Sequence, residues 1–435
     1  MKRLLEQELI EWKNKKEHLP LLLRGARQVG KSYLVESFGK THFDDVVILD
    51  FERRPELKKC FLTREPTEIL EQVEVLSQKK VTPGKTLLFF DEIQECPDAL
   101  VSLRYFKELM PEQHVIAAGS LMEFLLNDEK YSFPVGRVEF LYLRPLSFKE
   151  FLMAVAPLLE KHIESQTQSQ VIHEELLKWV RKYLFIGGMP AAVNAYLETS
   201  SLLESQKVHS RILQAYQSDF GKYAKHTQHK YLEMVFNKAP ALISQTLKYT
   251  SIDPDARSRD LKPAIELLTK AGLFQQMFAT TAAGLPLHAH IRDHRFKLLF
   301  LDVGLLQTAS QVHSQDFLDK EILQINAGAI AEQFVGQELL ASDDVYQNRP
   351  LLFWEGEGQS EIDFLITIQS QMTPIEVKAG STGSLRSLKN FMHLKNLSLG
   401  VRISEHPFSH YDSLMSIPFY LVHTLRKLAL LFLKA

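Results

Sequence analysis

The chain has little cysteine, no charge imbalance and no long apolar run. Its 435 residues include two cysteines, Cys60 and Cys96. Two are too few for a disulfide framework and suit a reducing cytosol, so a cytoplasmic location is expected. Fifty-one Lys and Arg stand against 53 Asp and Glu, a formal net charge of −2. No global basic field points to nucleic acid, which leaves only a local patch to do so. No window of about 20 residues is free of charge, so no membrane-spanning helix is expected. The opening MKRLLEQELIEWKNKKEHLP is charged throughout and lacks the apolar core of a secretory signal. The apolar end, LVHTLRKLALLFLKA, is broken by Arg426 and Lys427. It reads as an amphipathic helix packed on the body rather than a membrane anchor. Internal repeats are absent, and 45% hydrophobic residues with 19 Gly and 18 Pro are ordinary globular proportions.

What is present is an alternation of elements. Leu4, Leu5, Leu9 and Ile10, with Trp12 as a candidate fifth member, form an approximate helical stripe that Pro20 ends. Four apolar runs follow, LPLLLRG, DVVILDFE, KTLLFFDE and HVIAAGS, separated by helical stretches. Runs this apolar suit strands covered on both faces, as in a parallel α/β sheet. From Phe148 to about Lys230 the pattern is helical, with a Gln/Ser-rich loop over Glu164–Gln170 and a tight turn at Gly187-Gly188-Met189-Pro190. Two apolar helices, around Ala239–Lys248 and Lys262–Ala271, then precede a hairpin from LFQQMFAT to LHAHIRDHRFKLLFLD, the order of a winged helix-turn-helix. A last module opens with the helix GAIAEQFVGQELLA and continues through strands PLLFWEG, SEIDFLITI and MTPIEVKAG, a helix over Leu385–Leu394, and strands near GVRIS and IPFYLV. The expected class is α/β: a parallel sheet over residues 1–150, a helical region over 151–230, a winged helix over 231–310, and a second α/β module over 311–435.

The sharpest motif is Gly25-Ala26-Arg27-Gln28-Val29-Gly30-Lys31-Ser32, a GxxxxGK[ST] run between a strand and a helix start. Glycines let the backbone wrap a phosphate while N–H groups and the helix N-terminus point at it. Lys31 would reach the β and γ phosphates of ATP, and Ser32 would ligate Mg²⁺. Sixty residues on, Leu87-Leu88-Phe89-Phe90-Asp91-Glu92 is an apolar strand ending in two carboxylates. Asp91 would hold the Mg²⁺ shell, and Glu92 would orient and deprotonate the attacking water. Ser120 closes HVIAAGS and suits a contact to the γ-phosphate or that water, with a plain turn serine as the bland reading. Arg137, in Pro134-Val135-Gly136-Arg137-Val138, is a candidate arginine finger acting in cis or toward a neighbouring copy, or else a salt-bridged surface residue. Arg27 is an alternative contact to phosphate or partner.

The run LLLRGARQVGKS, with LLFFDEIQECPDAL, HVIAAGSLMEFLL and FPVGRVEFLYLRPLSFKEFL, resembles the AAA_14 type of prokaryotic P-loop ATPase, within the AAA+/STAND-like assemblage. YLFIGGMPAAVNAYL, KLLFLDVGLL and GAIAEQFV…SEIDFLI…PIEVKAG resemble the DUF4143 domain that accompanies that ATPase. The resemblance implies a P-loop fold with ATP and Mg²⁺, puts Ser120 at a sensor-1 position, and leaves the physiological target open.

In the last module, Asp363 lies in Glu361-Ile362-Asp363-Phe364, and Glu376 and Lys378 alternate onto one strand face. With Glu332 on the preceding helix, this order resembles the PD-(D/E)xK nuclease core: helix Glu, strand Asp, then Glu-x-Lys. There carboxylates gather Mg²⁺, and the Lys orients the water or stabilises charge. Solvent-facing charges on an edge strand are the bland alternative, and a fold does not fix an activity. On the hairpin, His288, His290, Arg292 and His294 are expected on one face beside Arg295 and Lys297. A basic wing on DNA phosphates is one reading, solvated polar residues another, and a metal site the weakest because no cysteine or carboxylate completes it. Tyr216, Lys222, Tyr223, Lys225 and Lys230 add charge nearby in sequence.

Three functions compete. The first is an ATP-hydrolysing switch whose nucleotide state moves the C-terminal half, with DNA and further copies of the chain as candidate partners. The second is an ATP-gated metal-dependent DNA nuclease. The third is a nucleotide-regulated, non-catalytic binding protein.

Overall fold

The computed structural model describes residues 1–120, 122, 136–164, 169–223, 226–312, 327–356, 360–380 and 384–434. Two compact units result. The first comprises Met1–Arg144 with Lys270–Gly272 and Asp344–Asn348, and the second comprises Pro145–Thr269, Leu273–Asp343 and Arg349–Ala435.

The first unit is built on a parallel sheet in the order β2-β3-β4-β1-β5. Its strands are β1 Leu21–Arg24, β2 Asp45–Asp50, β3 Thr86–Asp91, β4 Val115–Ala118 and β5 Glu139–Tyr142. The four apolar runs are the first four strands. Leu87 to Phe90 and all of β4 are buried, as strands covered on both faces require. The fifth strand was not among those runs. It is an edge strand in which only Leu141 is buried, so its sequence shows no continuous apolar stretch. Helices α1 Glu6–Asn14, α2 Lys31–His42, α3 Pro66–Ser77 and α4 Pro97–Leu109 pack around the sheet. Phe51, Phe61, Phe90 and Phe106 meet edge to face in the core, the geometry that ring quadrupoles favour.

The second unit starts with helices Phe148–Val155, Gln170–Ile186, Pro190–Thr199 and Leu202–Ser218. The first is fixed by a capping box between Ser147 and Glu150. Two sheets follow. One runs β7-β6-β8-β9, from β6 Phe274–Thr280, β7 Ile291–Phe300, β8 Leu352–Glu355 and β9 Glu361–Ile362. The other runs β10-β11-β12-β14-β13, from β10 Phe364–Ile368, β11 Gln371–Val377, β12 Gly400–Ser404, β13 Ser409–Tyr411 and β14 Leu414–Pro418.

Three local expectations fail. The helix expected over Ala239–Lys248 is only a 3-10 turn, Ala239–Leu242. Its remainder is a turn, with Ser244 at φ +65°, followed by irregular chain in which Leu247 N–H donates to Phe296 O on the edge of β7 at 2.8 Å. His288 and His290 lie in a 3-10 turn, Leu287–His290, that precedes the strand. Thr280 Oγ1 donates to Leu287 O and His290 O and pins that turn, so the four residues His288 to His294 do not form one alternating row. The hairpin itself is not a free wing, because β6 also pairs with β8 in parallel. Tyr216 is buried. Residues 165–168 of the Gln/Ser loop, Lys225, and the side chains of Lys222 and Tyr223 lie outside the described residues.

Candidate functional site

At the C-terminal ends of β1, β3 and β4 the first unit gathers most of the polar residues singled out in its sequence. Ligands bind at such strand ends in open α/β sheets. The turn after β1 folds as its glycines allow. Gly30 has φ +95° and caps α2, and Gly25 has φ +145°. A β-carbon on Gly25 would lie 2.2 Å from Leu143 O, so no side chain fits there. Gln28 adopts φ +64° without being glycine. Lys31 is buried, and its Nζ donates to Gly25 O at 2.9 Å and Ala26 O at 2.8 Å. Burial pushes its pKa down to about 8, while Glu92 and Asp91 partly counter that loss and Arg27 adds to it.

Asp91 ends β3 opposite Asp50 of β2. Burial raises its pKa to about 6, against a hydrogen bond from the Ser32 hydroxyl that favours the carboxylate. Ser32 and Asp91 are therefore adjacent, a hydroxyl beside a carboxylate at the start of α2. A hard divalent cation bound partly through phosphate takes such oxygen donors. Glu92 has φ +49°. Its Oε2 accepts from Gln94 Nε2 at 2.6 Å, Ser120 N at 3.3 Å and Ser120 Oγ at 3.4 Å. The sequence reading missed Gln94. Its Oε1 is buried without a hydrogen-bond partner. A β-carbon on Gly119 would lie 2.0 Å from that atom, so Gly119 leaves room for the amide. The signal was local: Gln94 stands two residues after Glu92, in the 3-10 turn Ile93–Glu95 that follows the strand.

Arg137 is not brought to this site. It precedes β5, whose Glu139–Tyr142 pair in parallel with Leu21–Arg24, so it lies at the strand-start end of the sheet while the phosphate loop lies at the other. Its Nε donates to Glu108 Oε1 at 3.1 Å, and Arg104 shares that carboxylate. Gly272 was also missed. With φ +78° it approaches the phosphate loop so closely that a β-carbon there would lie 2.9 Å from Ala26 Cβ.

Residues 17–152 match the family described as an AAA domain. Behind it, residues 177–316 match a domain of unknown function, DUF8612, and residues 327–420 match another, DUF4143. The stretches YLFIGGMPAAVNAYL and KLLFLDVGLL, expected with DUF4143, fall within the DUF8612 match. No curated protein matches the sequence. Solved structures similar to this chain include the Walker-type ATPase PABY2304 of Pyrococcus abyssi, at 16% identity and TM-score 0.44, covering 71% of this chain and 95% of that one. The ORC1 protein of Aeropyrum pernix in complex with DNA is 11% identical, with TM-score 0.28, covering 71% and 90%. A signal transduction ATPase with numerous domains (STAND) from Pyrococcus horikoshii, carrying a tetratricopeptide repeat sensor, is 14% identical, with TM-score 0.27, covering 80% and 46%. These likenesses are loose.

The second unit assembles the other expected group. Antiparallel pairing of Phe364 with Ile375 sets Asp363 across from Glu376, and residues directly opposite share a face. Asp363 Oδ2 accepts from Val377 N at 2.7 Å, and Lys378 Nζ meets Glu376 Oε1 at 2.6 Å. Glu332 comes from the helix Ala327–Ala341. Burial raises the pKa of Asp363 well above the carboxylate range, reinforced by the charges of Glu332 and Glu376. It raises Glu332 and Glu376 as well. The four expected residues therefore converge, but they are joined by a fifth. Lys297, expected on an exposed basic wing, is completely buried, with Nζ 3.5 Å from Glu332 Oε2 and in contact with Glu361 Oε1. Burial disfavours its charge, yet Glu332 and Glu361 outweigh that and hold its pKa above the ordinary lysine value. The clue was Lys297's place next to the apolar run Leu298–Phe300. Of the remaining wing residues, Arg295 pairs with Glu355 at 2.6 Å, and Arg292 and His294 are exposed.

Proposed function

We propose that the chain binds ATP with Mg²⁺, hydrolyses it, and passes the state of the nucleotide to its C-terminal half. The observation that carries this reading is the meeting, at one end of a parallel sheet, of Lys31, the Ser32–Asp91 pair and the hydrogen-bonded Glu92, Ser120 and Gln94. The backbone of Gly25–Ser32 would wrap the phosphates, with the N-terminus of α2 facing them. Lys31 would exchange the carbonyls of Gly25 and Ala26 for β and γ phosphate oxygens. That exchange suits a buried ammonium now bonded to neutral acceptors. Ser32 and Asp91 would hold Mg²⁺, which would neutralise phosphate charge. Glu92 would take the proton of the attacking water, with Ser120 and Gln94 keeping its carboxylate aimed.

The route to the C-terminal half would be the turn Lys270–Gly272. It belongs to the first unit although the chain on both sides belongs to the second, and Gly272 lies against Ala26 of the phosphate loop. DNA is retained as a candidate partner through exposed Arg292 and His294, a short basic row once Lys297 and Arg295 are spoken for. Arg137 would act only toward a neighbouring copy. In that case, mixing Arg137→Ala with Lys31→Ala protein restores part of the turnover.

The test is Mg²⁺-dependent ATP binding and turnover in three proteins. The unaltered chain should turn over ATP, and Lys31→Ala should lose nucleotide binding. Glu92→Gln should bind ATP and turn it over roughly 10²-fold more slowly. A Glu92→Gln rate equal to that of the unaltered chain removes the mechanism. Tight ATP binding without any turnover replaces it with the non-catalytic binding protein.

A further inference from the structure

The carboxylate cluster of the second unit has the residue order of a metal-dependent nuclease and a different charge arrangement. A divalent ion in such a core sits among carboxylates and cancels their repulsion. Here an ammonium group of the chain stands among them and offsets part of that repulsion. Lys297 projects from β7 with its side chain 1% exposed, and its Nζ lies 3.5 Å from Glu332 Oε2 and in contact with Glu361 Oε1. Its charge also acts, as the smallest of the named influences, on Asp363 and Glu376, so the field of one cation reaches all four carboxylates. The Phe353 ring lies beneath it, with Nζ 5.1 Å from the ring centroid, which favours a desolvated cation. Lys378 takes Glu376 Oε1, and the Val377 N–H takes Asp363 Oδ2. Among the described residues, no group of three or more His, Cys, Asp or Glu side chains is disposed to hold a metal ion. A resident divalent ion therefore does not fit this cluster as it stands.

We infer that Lys297 is a built-in cation that takes the place of the divalent metal, so the nuclease-like core of this chain is neutralised from within and serves as a packed ionic core rather than a metal site. Removing the ammonium should convert the cluster into a metal site. Glu376 Oε2, buried without a hydrogen-bond partner, is the first oxygen available to an incoming ion.

The experiment is Mn²⁺ binding without nucleotide, followed by calorimetry and by the electron spin resonance of free Mn²⁺. It compares the unaltered chain, Asp363→Asn, Lys297→Met and the double variant Lys297→Met with Asp363→Asn. Lys297→Met should bind Mn²⁺ at least about 10-fold more tightly than the unaltered chain, and the added Asp363→Asn should abolish that gain. Mn²⁺ should also raise the unfolding temperature of Lys297→Met and leave that of the unaltered chain in place. Should Lys297→Met fail to fold, the unaltered chain and Asp363→Asn decide alone, and their Mn²⁺ isotherms should coincide. Mn²⁺ binding by the unaltered chain that Asp363→Asn weakens overturns the inference. So does a folded Lys297→Met with no gain.

Discussion

Each unit buries a lysine among carboxylates, and the two lysines are treated in opposite ways. Lys31 donates to two neutral carbonyls, and burial draws its pKa down to about 8. Lys297 is bracketed by Glu332 and Glu361 and held above the ordinary lysine value. An ammonium bonded to weak acceptors gains when an anion arrives, whereas one already paired with carboxylates has nothing to gain and much to lose. On the proposed reading the first arrangement would be open to phosphate, and the second would be closed to ions of either sign. Similar residue types would thus make a ligand site in one unit and an internal salt bridge in the other.

A third buried ionisable group sharpens the comparison, because it has no lysine. Glu338, on the helix Ala327–Ala341, is buried and accepts from Phe148 N at 2.8 Å. Burial, with the Phe148 N–H acting the other way and Glu150 adding repulsion, raises its pKa from 4.5 to about 8. A carboxyl whose folded pKa is raised contributes stability that is complete below its unfolded value and is lost as pH rises through the folded value. Between about pH 5 and 8 the unaltered chain should therefore lose stability relative to Glu338→Gln, by on the order of 2–3 kcal/mol. Urea midpoints of both proteins across that range are the measurement. Parallel pH profiles would mean that Glu338 stays ionised and that burial without a lysine costs less than the comparison assumes.

A smaller effect is expected inside the open site. Gln94 orients Glu92 and has its own buried, unpartnered Oε1. Gln94→Ala should lower kcat roughly 10-fold with KM for ATP unchanged, and Gln94→Glu, which sets a like charge beside Glu92, should lower it further. Equal falls in kcat and in nucleotide affinity would make Gln94 a packing residue of the loop instead of a positioning one.

The first unit was largely legible in the sequence because its signals are local. Four continuous apolar runs give four buried strands, and the phosphate loop is one uninterrupted octapeptide. The edge strand Glu139–Tyr142 escaped because exposure breaks its apolar pattern. The carboxylate cluster was legible only in part. Strand alternation brings Glu376 and Lys378 to one face and pairing adds Asp363, but Lys297 arrives through β7, which reaches β9 only by way of β6 and β8. No spacing along the chain encodes that approach. Reading Lys297 with its exposed neighbours Arg292 and His294 put it on the wing, while the apolar run Leu298–Phe300 beside it pointed inward. His288 and His290 were misplaced for a related reason, since alternation was extended into a turn that Thr280 fixes from across the hairpin.

The contrast between the two lysines is tested most directly by counting Mn²⁺ ions bound per chain in the presence of a non-hydrolysable ATP analogue. One ion per chain is expected, lost when Ser32→Ala is combined with Asp91→Asn and retained in Asp363→Asn. Two ions per chain, with one of them lost in Asp363→Asn, would contradict the account.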